Sequence, residues 1–225
     1  MPPTSMRRSP VHDLLDRPGV NWASIGDAPI AISFGQPDVE AAAMTTLGLC
    51  DMSALPKLGV KGPAAASWLT EQQVEIPNTI YDTTRSPEGD LCVRLGDDEF
   101  LIESNIRPQL APRLQDALGT ARTNVYRVER QEATFLLTGS DAIKIFAQTC
   151  SINFSKTPLH RIILTRVVGV SCGILPETVA DVPIYRLWVD YSFAAYLWEI
   201  LAEIGHELNG SIIGAGGVYP DLLEE

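Results

Sequence analysis

The side chains of this 225-residue chain that could do chemistry are few and scattered. Asp51 and Ser53 stand two apart. A carboxylate and a hydroxyl so spaced could hold a polar ligand together. Equally, Asp51 could accept hydrogen bonds from its own turn while Ser53 fixes the entry to the next strand, and this structural role is the reading adopted for the pair. The histidines, His12, His160 and His206, are far apart and have no nucleophile or metal ligand at a useful spacing, so ordinary surface or hydrogen-bonding roles are expected. Cys50, Cys92, Cys150 and Cys172 form no C-x-x-C and no cysteine–histidine interval of the zinc type, which predicts buried reduced thiols and no metal site. No G-x-S-x-G is present, and no G-x-G-x-x-G follows a strand, so neither a nucleophile elbow nor a flavin or nicotinamide site is expected in the chain. Trp22, Trp68, Trp188 and Trp198 are expected to be core or interface anchors.

The elements that would position these residues are best marked from Leu47 to Leu69. This stretch reads as a turn, a strand after Pro56, a glycine hinge at Gly62-Pro63 and a helix carrying Ala65, Trp68 and Leu69 on one face. Before it, residues 1–8 read as a flexible tail. Ser9-Pro10 opens a short helix with Val11, Leu14 and Leu15 inward, and Asn21 to Ile25 and Ala28 to Phe34 pair as a hairpin around Gly26-Asp27. A helix from Pro37 carries Val39, Ala42, Ala43 and Thr46-Leu47 on one face and is expected to end on a left-handed cap at Gly48. After it, strands over Thr79 to Thr84, Asp90 to Leu95 and Glu99 to Glu103 form a meander, and a helix regular from about Pro112 carries Leu114 and Ala117-Leu118.

The second half repeats the plan. Thr134 to Thr138, Gly139 and the run beyond it again give strand, hinge and helix, with Ser140 as the cap and Ile143, Phe146, Ala147 and Cys150 at i, i+3, i+4 and i+7. Arg161 to Leu175 and Pro183 to Asp190 read as strands. Ser192 is expected to cap a helix with Ala194, Leu197, Trp198 and Leu201 inward, and Gly214 to Gly217 to form a flexible turn. The pseudo-repeats span about 30–118 and 119–208 of a single domain over 9–225. The fold class expected is therefore α+β, as two duplicated β-rich units sharing strands around a pseudo-twofold.

Composition limits the partners. A formal net charge of −11, from 17 basic and 28 acidic residues, argues against a nucleic-acid or anionic-membrane surface. No apolar run approaches the length of a membrane span, and Arg7-Arg8 is followed by no apolar segment of the export-signal kind, so the expected location is cytoplasmic.

The run LGLCDMSALPKLGVKGPAAASWL from Leu47 to Leu69 resembles the opening signature of the aminomethyltransferase (glycine-cleavage T-protein) and folate-binding superfamily. Within it, the chain from Ser9-Pro10-Val11-His12 through the SFAAYLWEILAE run is most similar to the sarcosine oxidase gamma-subunit family. The resemblance implies two β-rich units with intertwined strands and outer helices.

It also implies where a folate-assisting carboxylate should stand. Aligned on Gly89, the acidic positions of the methyltransferase pattern fall near Cys92 and Val93, which cannot act as carboxylates. Asp90, two residues off, would share a strand face with Cys92. The later Gly-Tyr-Thr-Gly-Glu segment should fall over Pro176 to Pro183, which lacks the Gly-Glu pair. The chain is also shorter than full aminomethyltransferases. Asp51 and Asp90 are thus the candidate cofactor contacts, with no catalytic or metal-binding residue assigned. The resemblance implies a non-catalytic subunit of a heteromeric amine oxidase or demethylase, with flavin and tetrahydrofolate on partner subunits. The alternatives are an autonomous tetrahydrofolate-dependent methyl or aminomethyl transferase and a non-catalytic interaction module.

Overall fold

A computed structural model describes residues 7–119 and 123–223. Most of the tail expected over residues 1–8 lies outside the described residues. In chain order the elements are α1 (His12–Leu15), β1 (Asn21–Ile25), β2 (Ala28–Ser33), α2 (Pro37–Thr46), β3 (Gly48–Asp51), β4 (Lys57–Lys61), α3 (Ala65–Glu71), β5 (Thr83–Arg85), β6 (Leu91–Arg94), β7 (Glu99–Glu103) and α4 (Leu110–Leu118). There follow β8 (Tyr126–Val128), β9 (Ala133–Thr138), α5 (Ala142–Thr149), β10 (Ile163–Val167), β11 (Val170–Val179), β12 (Val182–Val189), α6 (Tyr191–Glu207) and β13 (Ser211–Ile212).

These elements make two compact units. One holds residues up to Ala54, Glu132–Leu159 and Ile163 onward, and the other holds Leu55–Gln131 and His160–Ile162. The first contains the β1–β2 hairpin and a six-stranded sheet in the order β10-β11-β12-β9-β3-β13, and the second a five-stranded sheet in the order β5-β6-β7-β4-β8. The two sheets share one plan. An antiparallel meander (β5-β6-β7 or β10-β11-β12) pairs its last strand with the strand that opens the repeat (β4 or β9). On the far side of that opening strand lies a strand from elsewhere in the chain. β3 immediately precedes β4 yet pairs with β9, while β8 immediately precedes β9 yet pairs with β4. Each repeat therefore lends its preceding strand to the other sheet. This is the α+β, duplicated, strand-sharing architecture expected from the sequence.

The hinge that begins each repeat has one physical solution, used twice. Gly62 and Gly139 both have positive φ, at +127° and +92°. A Cβ at Gly62 would fall on the backbone of Asn124, just before β8, and one at Gly139 on the backbone of Thr46, just before β3. That close approach satisfies helix-terminal donors that have no partner within the helix. Ala64 N–H donates to the Asn124 carbonyl at 3.1 Å, and Ser140 and Asp141 N–H donate to the Thr45 and Thr46 carbonyls at 3.0 and 2.8 Å. Side-chain caps are absent from α3 and α5 for this reason.

Each sheet buries one face beneath its own helices. In the six-stranded sheet Phe135, Leu137, Leu187 and Ile174 pack with Ile145 and Phe146 of α5 and Leu197, Trp198 and Leu201 of α6. In the five-stranded sheet Leu58, Val60, Phe100 and Ile102 pack with Trp68 and Leu69 of α3 and Leu114 of α4. The inward stripe of α6 is the one expected. Pro112 is the third residue of α4, where a missing N–H costs no intrahelical bond.

Several local expectations give way. Gly48 is no left-handed cap: Leu47 is extended, with φ −156°. Leu47 to Asp51, expected as a turn, instead supplies β3, a strand buried along its whole length. In α2 the inward residues are Glu40, Ala43 and Met44, and Val39 is exposed. In α5 Ala142, Ile145 and Phe146 face inward, and Ile143 is exposed, so the stripe is rotated from the expected one. Ser192 does not cap α6; Asp190 does, accepting a hydrogen bond from Ser192 N–H at 2.9 Å, and the bond from the Ser192 hydroxyl first, then that from its N–H, hold its carboxyl below the ordinary range. Leu14, expected inward, is exposed. β5 begins at Thr83, later than expected, after a single antiparallel bridge from Asp82 to Arg161. The Pro176–Pro183 stretch is mostly strand, turning at Ala180-Asp181, both with positive φ. Gly214 to Gly217 is not a loose turn. It packs so tightly on β2 that a Cβ at Gly214 would fall on the Ile32 backbone, and Gly214 N–H donates to Glu40 Oε2 at 2.8 Å.

Candidate functional site

The two candidate carboxylates lie in different units, each in a turn that it holds together. Asp51 ends β3. Its Oδ1 accepts from Ser53 N–H at 3.0 Å and from the Ser53 hydroxyl at 2.6 Å, and Ser53 Oγ in turn accepts from Thr134 N–H of β9 at 3.1 Å. The Asp51-x-Ser53 spacing thus closes a local turn and ties it to the neighbouring strand, and both side chains are buried. Arg7 adds a hydrogen bond to the Ser53 carbonyl at 3.3 Å.

Asp90 precedes β6 and does comparable work. Its Oδ1 accepts from Asn105 N–H at 2.9 Å, its Oδ2 faces the Ser86 hydroxyl at 3.4 Å, and its own N–H donates to Ser86 Oγ at 3.2 Å. Asn105 Nδ2 donates to the Glu88 carbonyl at 2.6 Å across Gly89, whose φ is +95°. The Glu88-Gly89-Asp90 segment is thereby locked to the end of β7.

The histidines are not assembled into a site. His12 lies against Trp22 with ring centroids 4.5 Å apart, His160 offers its carbonyl to Thr83, and His206 is in the last turn of α6. Trp68, Trp188 and Trp198 are buried core residues. All four cysteines are free. Burial raises the thiol of Cys50 far above its ordinary value and pushes those of Cys92 and Cys172 up to about 12, so these three are poor nucleophiles at neutral pH. Among the described residues no group of three metal-ligating side chains comes together.

Three buried polar arrangements lie outside the candidate residues read from the sequence. Arg186 of β12 and Glu177 of β11 pair at 3.3 Å on the sheet face opposite the helices, and Arg186 also donates to the Tyr219 hydroxyl at 3.3 Å. Lys57 and Glu103, opposite each other across β4 and β7, approach to 3.7 Å with both side chains fully buried. Glu40 of α2 accepts from Phe34 N–H, the Ser33 hydroxyl, Gln36 N–H and Gly214 N–H. Only for Glu40 was there a local signal, an acid in the first turn of a helix beginning at proline, where the N-terminal dipole favours it. Beside Glu40 the first unit contains a half-open pocket of about 330 Å³, lined by apolar and polar side chains.

No protein-family model and no curated protein sequence matches the chain. Solved structures do. The glycine cleavage system aminomethyltransferase T of Bartonella henselae matches over 95% of this chain and 61% of its own, with a TM-score of 0.71 and 14% identity. The chain thus spans less than two thirds of that enzyme's length. A chain of the heterotetrameric sarcosine oxidase of Corynebacterium sp. U-96, solved with pyrrole 2-carboxylate, matches over 87% of this chain and 92% of its own, with a TM-score of 0.61 and 20% identity. At these identities the likeness is one of architecture: the chain has the fold that this aminomethyltransferase and this sarcosine oxidase chain share.

Proposed function

We propose that this chain is a gamma-type subunit of a heteromeric sarcosine oxidase-like assembly, a structural or channel-forming element that supports oxidative demethylation of an N-methyl amine in the cytoplasm. The observation that carries this reading is one of extent: the chain matches 92% of a sarcosine oxidase chain but only 61% of the aminomethyltransferase. The match thus takes in nearly the whole of the sarcosine oxidase chain. The hydrogen bonds that Asp51 and Asp90 make within their own turns add support, because carboxylates so engaged brace the fold. In this reading flavin and tetrahydrofolate belong to partner subunits, which oxidise the amine and accept its methyl carbon.

The test is purification of the chain, tagged at one terminus, from its native host. The expected outcome is recovery of a flavin-containing heteromer that oxidises an N-methyl amine. Omitting the chain should dissociate the assembly or release the methyl carbon as formaldehyde in place of methylene transfer. Recovery of the chain alone, or unchanged assembly and turnover without it, sinks the proposal.

The second reading, an autonomous tetrahydrofolate-dependent transferase, draws on the higher TM-score to the aminomethyltransferase. Saturable tetrahydrofolate binding by the isolated chain, lost in Asp90→Ala but kept in a Ser86→Ala control, would favour it.

A further inference from the structure

On the helix side of the six-stranded sheet, where α6 passes over β3 and β13, the first unit leaves about 330 Å³ unfilled. The space is half open to solvent, and its volume is within the range of small-molecule sites. The walls are Leu49, Leu137, Ile145, Leu201 and Ile212. Residue 205 also lines the space. Gly205 lies inside α6, where glycine is less favourable than alanine by about a factor of five in helix stability. It has no positive φ to require it. A Cβ there would meet only Ile145 Cδ1, at 3.9 Å, an ordinary contact. Neither backbone conformation nor crowding calls for this glycine, and a larger side chain there would enter the space.

The polar side chains lining the space are Arg17, Gln36, Glu40, His206 and Ser211. Arg17 lies over the Phe34 ring, 4.6 Å from its centroid, and makes no ion pair among the described residues. His206 stands exposed at the end of α6, and Gln36 is also at the rim. Glu40 is the acid that lines the space, but its two oxygens already accept four hydrogen bonds from the chain itself. A ligand head is therefore met by an available guanidinium and imidazole, and by a carboxylate already engaged.

We propose that this cavity binds a medium-chain monocarboxylate, its carboxylate at Arg17 and His206 and its unbranched tail along Gly205 between α6 and the sheet. The net charge of −11 opposes the approach of an anion, although salt screens that field beyond about 8 Å. Tail burial must then supply most of the affinity. Each buried methylene is worth about fourfold. The proposal does not depend on the assembly role proposed above.

The probes are sodium butyrate, sodium octanoate and octylammonium, titrated calorimetrically into the full chain together with whatever partners co-purify. One saturable octanoate site per chain is expected, about 250-fold tighter than butyrate from four added methylenes. Octylammonium should bind at least about tenfold more weakly than octanoate. Gly205→Leu should abolish octanoate binding with an unchanged or higher melting temperature, since it fills the space and improves the helix. Arg17→Gln, at an exposed position, should weaken octanoate about tenfold and keep the chain-length step. The proposal is overturned by absence of saturable binding, by octylammonium binding as well as octanoate, or by octanoate binding that survives in folded Gly205→Leu. Should Gly205→Leu fail to fold, equal octanoate affinity in Arg17→Gln and the parent overturns it.

Discussion

The Ser53 hydroxyl donates to Asp51 Oδ1 at 2.6 Å while its oxygen accepts from Thr134 N–H at 3.1 Å, so one side chain links the end of β3 to the start of β9. β3 is the strand lent from one repeat to the sheet of the other, and this link fixes where it stops. Ser53→Ala removes the acceptor of a buried N–H and one donor to a buried carboxylate. The expected loss is about 1–3 kcal/mol, the range for a buried polar group left without its partner. Urea denaturation checks it, and a loss within a few tenths of zero would mean that water replaces the hydroxyl.

Glu177 and Arg186 face each other diagonally across β11 and β12, each side chain only 4% exposed. Removing one member of such a pair leaves a charge in a low dielectric, whereas replacing both restores an apolar face. Glu177→Ala should cost about 3–5 kcal/mol, and Glu177→Leu combined with Arg186→Met should recover most of that. The comparison is by guanidinium denaturation midpoints at neutral pH. If the double variant is as unstable as the single one, the Arg186–Tyr219 contact is the stronger part of the network.

Gly139 and Gly26 both have positive φ, but only one is crowded. Gly26 turns the β1–β2 hairpin with nothing within 4 Å of an added Cβ, whereas at Gly139 the Cβ would strike the Thr45 and Thr46 backbone. Gly26→Ala should therefore cost about 1 kcal/mol from backbone preference alone. Gly139→Ala adds a collision that can be relieved only by moving α5 away from the end of α2, so it should cost clearly more, beyond about 3 kcal/mol. Paired thermal melts of the two variants decide it, and equal losses would refute the packing argument.

These comparisons show which parts of the molecule the sequence could disclose. The hinges at Gly62 and Gly139 were readable because strand, glycine and helix are adjacent in the chain, and the α6 stripe because Ala194, Leu197, Trp198 and Leu201 keep helical spacing over two turns. β3 was hidden because a strand buried throughout carries no alternation. β8 and β13, of three and two residues, are too short to carry a pattern. The face of α5 is ambiguous in the sequence because Ile143, Ile145 and Phe146 crowd a helix of two turns and permit more than one apolar face. At the candidate site, the Asp51 turn was legible since its partner is two residues away. The bond from Gly214 to Glu40 spans 174 residues, and no local pattern can announce it.

Glu99 gives the chain a predictable response to acid. It accepts from Lys61 at 2.9 Å and from Arg130 at 2.8 Å, both within the five-stranded sheet unit. The Lys61 hydrogen bond does most to hold its carboxyl below the ordinary value, and the two cationic charges add to this against desolvation. A carboxyl lower in the folded state contributes stability that is fully present above its unfolded value, about 4.3, and is lost as pH falls through its folded value. The pair is partly exposed, with Lys61 50% and Glu99 27% accessible, so its contribution should be small and should shrink in high salt. Glu99→Gln removes the titrating group without changing the shape of the site. Measured by urea unfolding from pH 7 to pH 3, the parent chain should be the more stable at neutral pH, and its advantage over Glu99→Gln should decline below about pH 5. An advantage that stays constant across that range would show that Glu99 acts through packing, with its charge contributing nothing.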